Sequence, residues 1–425
     1  MPTLPTIAIV GAGPSGCFVA QFLEKKWPEA EISIFEALPV PYGLVRYGIA
    51  ADHQGSKGVI QQFEKMFEKG NVKFFGNVSV GRDITFQKLA ESFDVLVLAT
   101  GLNHDAVLDV PTHPGAHVIG AGQILKALNG YPLHRLPKDV GGQIRSLGSD
   151  IAVIGSGNVA VDFVRMICKS GDEFLGSDVV DDVLAQLKSS GLKKIKLFSR
   201  SPASMVKCDG SMLEELLKLP GIRVSFEDAP EEQGRVPDIL RMQKENMKAR
   251  EGEKIEIELV FDVTINELDF VGGRTVISSL SKGAGALKVD GFDTVVTAIG
   301  FTNGVSENNL IPGNDCDGDA VYRVGWLRRG PKGTVAENRK DAKSVADKIC
   351  QDFEDGLNRP GKVGRASVLH ELSTNVVDYD GWRRIDRYEQ SSAVKDRCRN
   401  KLRDLVAMIR VARGQDATTA SADIV

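Results

Sequence analysis

The six cysteines, Cys17, Cys168, Cys208, Cys316, Cys350 and Cys398, include no C-x-x-C pair, and no histidine stands beside any of them at metal-ligand spacing. A zinc site, a cysteine-held iron–sulfur cluster and a redox dithiol are therefore not signalled, and the thiols read as reduced. Neither sign of charge dominates. Lys plus Arg number 53 against 57 Asp plus Glu, a formal charge of −4, so nothing global draws the chain to nucleic acid or to an anionic membrane. A charged partner has to meet a local patch. No apolar run approaches the roughly 20 residues that span a bilayer. Only about five residues precede the first expected strand, with neither a basic nor an apolar leader region, so the expected location is cytoplasmic.

What is present points to a large α/β protein. The 425 residues, 42% apolar and 26% charged, can bury a sizeable core and exclude a disordered or fibrous chain; two or more globular units are expected. Glycine is abundant, at 44 residues, and gathers where strands turn into helices.

Thr6 to Val10 is a β-branched apolar run that stops at Gly11-Ala12-Gly13-Pro14-Ser15-Gly16. A helical pattern follows through Lys26, then a second strand from Glu31 to Glu36. This is a βαβ unit whose glycines permit a tight turn and close backbone approach to a pyrophosphate, with Glu36 placed to accept hydrogen bonds from ribose hydroxyls. The same grammar recurs at Ile151 to Ile154, Gly155-Ser156-Gly157-Asn158-Val159-Ala160, a helix through Cys168, and a strand Lys194 to Phe198. Here the second strand ends in Ser199-Arg200-Ser201 instead of an acid. No carboxylate repels a 2′-phosphate and Arg200 can hold one, which favours NADP over NAD.

Two further apolar strands, within Asp94–Gly101 and Asp293–Gly300, end in small residues and glycine and suit crossings between two nucleotide-binding domains. The expected architecture is α/β with two Rossmann-like dinucleotide-binding domains. Residues 1–103 and 302–425 form an FAD-binding domain into which an NADP-binding domain, 104–301, is inserted. The segment 228–254 is highly charged and reads as an exposed helix or excursion, and the tail from Gly414 lacks periodicity and reads as frayed. Two dinucleotide sites without a dithiol suggest a flavin on the first loop and a nicotinamide nucleotide on the second.

The run Pro41 to His53 (PYGLVRYGIAADH), the loop GSGNVAVD (155–162), GWLRRGPKGTV (325–335) and GWRRID (381–386) closely resemble the adrenodoxin reductase family of ferredoxin–NADP reductases. The resemblance covers nearly the whole chain except about residues 225–290. It implies FAD contacts at Ser15, Glu36, Leu44, Val80, Trp326 and the turn Gly333, Thr334 and Val335. For the NADP pyrophosphate it implies Ser156, Gly157, Asn158 and Val159, with Arg200 at the 2′-phosphate. His53 matches the family's active-site histidine and Asp162 a family acid. Hydride transfer needs no general base, so His53 would orient groups or relay protons, with a loop-capping role as the alternative. Asp162 is open between cleft and solvent.

The chain departs from the family pattern in two places. The first of two adjacent family arginines aligns with Ser199, and the glycine after them with Ser201, which implies an NADP preference weaker by about 1–3 kcal/mol. The glutamate that accompanies the family histidine aligns with Met212, with Glu214 and Glu215 nearby.

The expected reaction carries hydride from NADPH to FAD and single electrons onward to a ferredoxin-type iron–sulfur protein. Ferredoxins are acidic, so a basic patch is expected, either at Arg235, Arg241, Lys244, Lys248 and Arg250 or at Arg383, Arg384, Arg387, Lys395, Arg397 and Arg399. The competing readings are a thioredoxin reductase-type enzyme, which lacks its dithiol here, an NADPH-dependent flavin monooxygenase or oxidase, and a non-catalytic dinucleotide-binding interaction protein.

Overall fold

Strand Ile7–Val10 is buried at all four positions, as a central parallel strand covered on both faces requires. In the computed structural model, residues 4–226, 233–246, 255–282, 285, 287–303, 318 and 320–417 are described. The chain divides into two compact units, one of Met1–Asn103, Gly176–Asp178 and Phe301–Val425, the other of His104–Leu175 and Val179–Gly300. Phe301 thus lies outside the inserted segment expected from sequence. So do Gly176–Asp178, which sequence gives no reason to set apart.

In the first unit five parallel strands run in the order Val321–Arg323, Val95–Leu98, Ile7–Val10, Ile32–Glu36, Val72–Gly76. Strand order reverses beside Ile7–Val10, and ligands of open α/β sheets bind at the carboxyl ends of strands at such a point. Val10, Phe35, Phe75, Phe93 and Leu98 form part of the core on one face. Helices Pro14–Lys26 and Val335–Glu354 pack against each other.

Gly176–Asp178 is held in this unit by charge. Asp178 Oδ1 accepts from Lys57 Nζ at 2.7 Å, and Lys401 Nζ stands 2.8 Å from Oδ2, with all three side chains buried. Beside them Arg46 donates twice to buried Glu389, at 2.5 and 2.7 Å.

The second unit has six parallel strands in the order Val118–Gly120, Thr294–Thr297, Asp150–Ile154, Lys194–Phe198, Ile255–Val260, Ile222–Phe226. Three antiparallel strands, Val263–Val271, Arg274–Ser281 and Leu287–Phe292, form a separate sheet, with a register shift between Ile265 and Glu267. Of the charged segment, Arg235–Asn246 is helical, while 227–232 and 247–254 lie outside the described residues. In the tail the described residues stop at 417. Among the described residues no helix is long and apolar enough to cross a membrane.

Candidate functional site

The first glycine loop shows three glycines used in different ways. Gly11 has φ of 106°, and a Cβ there would lie 2.6 Å from the Ala99 carbonyl oxygen at the exit of the neighbouring strand. At Gly16 a Cβ would lie 2.1 Å from the Gly11 carbonyl oxygen, so helix and turn touch through the missing side chain. Gly13 is the reverse. A Cβ there meets no atom of the chain within 4 Å, and Gly13 is the N-cap of helix Pro14–Lys26. No side chain caps that helix and no acid occupies its first turn. The result is an open cradle beside a helix N-terminus, which suits a pyrophosphate.

Glu36 is fixed from both sides. Its Oε2 accepts from the Ala12 N–H at 2.8 Å and its Oε1 from the Leu38 N–H at 3.1 Å. Burial pushes its carboxyl above the usual carboxylate range, against the pull of these backbone donors. Each carboxylate oxygen retains a lone pair for a ribose hydroxyl.

The segment around Trp326 completes this side. A Cβ at Gly325 would lie 2.2 Å from Ser15 Oγ, so only glycine lets the two loops meet. Buried Asp341 organises the turn by accepting from the Gly325 N–H at 2.6 Å and Arg328 Nε at 3.1 Å, with Arg329 Nε 3.3 Å away. Trp326 stacks on Phe301 at 5.4 Å between ring centroids, and its indole Nε1 is buried without a hydrogen-bond partner. An orphaned buried donor is costly, and an acceptor on a bound flavin nucleotide would relieve it. Thr334 caps helix Val335–Glu354 in a capping box with Glu337, following Gly333. Neither Phe301 nor Asp341 was singled out from sequence. Asp341 acts on Gly325 from 16 residues away, a spacing that no motif marks.

The remaining predicted residues of this unit are less uniform. Leu44 is half-buried on the short helix Gly43–Tyr47. Val80 is buried in the core with Val10, Ile84 and Leu98. His53 is half-buried, its N–H bonds the Ala50 carbonyl at 2.9 Å, and its side chain makes no cap to helix Gln54–Lys57.

The second unit repeats the device. Gly155 has φ of 118°, and a Cβ would lie 2.3 Å from the Ala298 carbonyl oxygen, while Gly157, N-cap of helix Asn158–Cys168, meets nothing within 4 Å. Ser156 Oγ lies 2.8 Å from Ser199 Oγ. Asn158 Oδ1 accepts from the Asp209 N–H at 2.7 Å, and Val159 is half-buried. Arg200 is exposed at the strand end. Asp162 is bound by Arg165 at 2.8 Å, and this fully buried guanidinium also reaches Glu215 at 2.9 Å. Burial pushes the Cys208 thiol up to about 11, which disfavours the thiolate at neutral pH.

The two basic patches also differ from a row of exposed cations. Arg241 pairs with Asp238, while Lys248 and Arg250 lie outside the described residues. Arg399 belongs to an internal cluster with Asp386 and Glu389. Arg235, Arg387 and Lys395 are exposed.

A family model described as pyridine nucleotide-disulphide oxidoreductase matches residues 5–307. Cindoxin reductase of Citrobacter braakii is 37% identical over 427 residues, covering 97% of this chain and 92% of that protein. The mitochondrial NADPH:adrenodoxin oxidoreductase of Homo sapiens is 28% identical, covering 96% and 92%. Among solved structures, Mycobacterium tuberculosis FprA in complex with NADPH aligns with a TM-score of 0.82 at 27% identity, over 97% of this chain and 100% of that one.

Proposed function

The chain belongs to the pyridine nucleotide-disulphide oxidoreductase family and, within it, resembles the adrenodoxin and ferredoxin reductases; from this we propose that it is an FAD-dependent ferredoxin–NADP reductase. The observation that carries this reading is the pair of open glycine cradles, at Gly13 and Gly157, in a chain without a C-x-x-C. With no C-x-x-C in the sequence, no redox dithiol is signalled to receive electrons, so they leave to a separate acceptor. Bound FAD supplies a carrier that takes hydride from NADPH and releases electrons singly to an iron–sulfur protein.

The chain's own residues bind and orient. Backbone N–H groups after Gly13 receive the flavin pyrophosphate, Glu36 accepts from a ribose, and Trp326 Nε1 donates to an acceptor on the flavin nucleotide. Gly157, Asn158 and Val159 perform the pyrophosphate role for NADP, and Arg200 binds the 2′-phosphate. His53 orients groups or relays protons at the flavin side, and Asp162 orients through Arg165. A cytoplasmic location is part of this reading, resting on cysteines scattered through the sequence without paired spacing.

Arg200→Ala is expected to raise the Michaelis constant for NADPH about tenfold or more, the loss of one charge-assisted hydrogen bond, and to leave that for NADH nearly unchanged. Steady-state kinetics with the two coenzymes decides it, since equal effects would give Arg200 a structural role instead.

Docking of an acidic iron–sulfur protein is tested by charge reversal at Arg235 in one variant and at Arg387 with Lys395 in another. One of the two is expected to slow ferredoxin-dependent cytochrome c reduction and flatten its salt dependence, with stopped-flow reduction of flavin by NADPH unchanged. If both variants keep the wild-type turnover and salt response, neither patch is the docking face.

A further inference from the structure

Strand Lys194–Phe198 exits into Ser199, whose side chain is wholly buried. Its hydroxyl lies 2.8 Å from two oxygens, Ser156 Oγ and the Ser201 carbonyl. A serine hydroxyl has one proton to give. The carbonyl can only accept, so Ser199 donates to Ser201, and Ser156 must then donate to Ser199. The row runs one way, from the glycine loop through the strand end to the backbone of the next turn.

That turn carries Arg200. The Ser201 carbonyl also accepts from the Asp262 N–H at 3.2 Å, while Ser199 donates its N–H to the Val260 carbonyl at 2.8 Å and accepts at its own carbonyl from the Val263 N–H at 3.0 Å. Both chain neighbours of Arg200 are anchored, and the arginine between them is exposed. Ser156, with its proton committed to Ser199, faces any phosphate on its loop with lone pairs alone. Phosphate binding there falls to backbone N–H groups.

We propose that Ser199 is a positioning residue for coenzyme selection: its hydroxyl, donated to the Ser201 carbonyl, braces the turn bearing Arg200, and so fixes where a 2′-phosphate is held. The inference rests on the reading of Arg200 as the 2′-phosphate residue. Ser199 is buried and acts through Ser201 and Arg200, without touching the coenzyme. Removing its hydroxyl leaves the Ser201 carbonyl with one donor in place of two and frees the Ser156 proton.

The test is calorimetric binding of adenosine 2′,5′-bisphosphate and of adenosine 5′-phosphate to the FAD-loaded protein. The readout is the ratio of the two affinities, which isolates the 2′-phosphate. Ser199→Ala is expected to lower this ratio about 2- to 10-fold, the range for one internal hydrogen bond. Ser156→Ala is expected to leave the ratio at the wild-type value, because the Ser199–Ser201 bond survives it. A wild-type ratio in Ser199→Ala overturns the proposal, and so does an equal fall in both variants, which would show general distortion of the loops. The arginine reading is checked separately by Arg200→Ala. If that variant keeps the full ratio, Arg200 does not bind the 2′-phosphate and the proposal falls with it.

Discussion

Gly13→Val is expected to yield a folded protein that purifies without yellow colour. The residue has φ of −69° and ψ of 178°, open to any L-amino acid, and its Cβ meets no atom of the chain within 4 Å. The valine methyls therefore occupy the cradle and leave the fold intact. Gly16→Val is the matched control. Its Cβ would lie 2.1 Å from the Gly11 carbonyl oxygen, so that substitution pushes helix from strand at a cost of upwards of about 3 kcal/mol. The flavin absorption spectrum and a thermal melt on both variants separate the two effects. A Gly13→Val protein with stoichiometric FAD would move the flavin site elsewhere.

The second large effect is on stability, at Asp178. Burial alone would raise this carboxyl; Lys401 and Lys57 overcome that and hold it at about 2. Both lysines are pulled down by their own burial, Lys401 strongly. Asp178→Ala leaves two ammonium groups buried side by side without their shared anion. The expected loss is about 3–5 kcal/mol, read as a lower denaturant midpoint at neutral pH. The sign with pH follows from the depressed carboxyl. Its stabilisation is fully present above the unfolded value of about 3.9 and is lost as pH falls toward 2, so the wild type has an acid-sensitive component that the variant lacks. A variant with the wild-type midpoint would show that the two lysines find another partner.

That cluster also marks the limit of what sequence could reveal. Both glycine loops, the strand Lys194–Phe198 and helix ends at Lys26 and Cys168 were legible, because periodicity and turn chemistry are local. Asp178 was not, since its partners come from distant parts of the chain and leave no periodic mark. The same holds for Asp341 on Gly325 and for Phe301 on Trp326. Arg399 shows the opposite error. From sequence it belongs to a candidate docking patch, yet the fold spends its charge on Asp386 and Glu389. Ser199 reads from sequence as the loss of a phosphate ligand, and only the folded turn shows its hydroxyl at work between Ser156 and Ser201.

The contact between Gly16 and the Gly11 carbonyl has a bearing on modularity. The position that answers to Gly16 in the second loop is Ala160, fully buried with its methyl accommodated. The second turn therefore houses a methyl group at this position, and the first does not. As cassettes the two loops are transplantable in one direction only: the glycine version fits either socket and leaves a methyl-sized void in the second, whereas the alanine version jams the first.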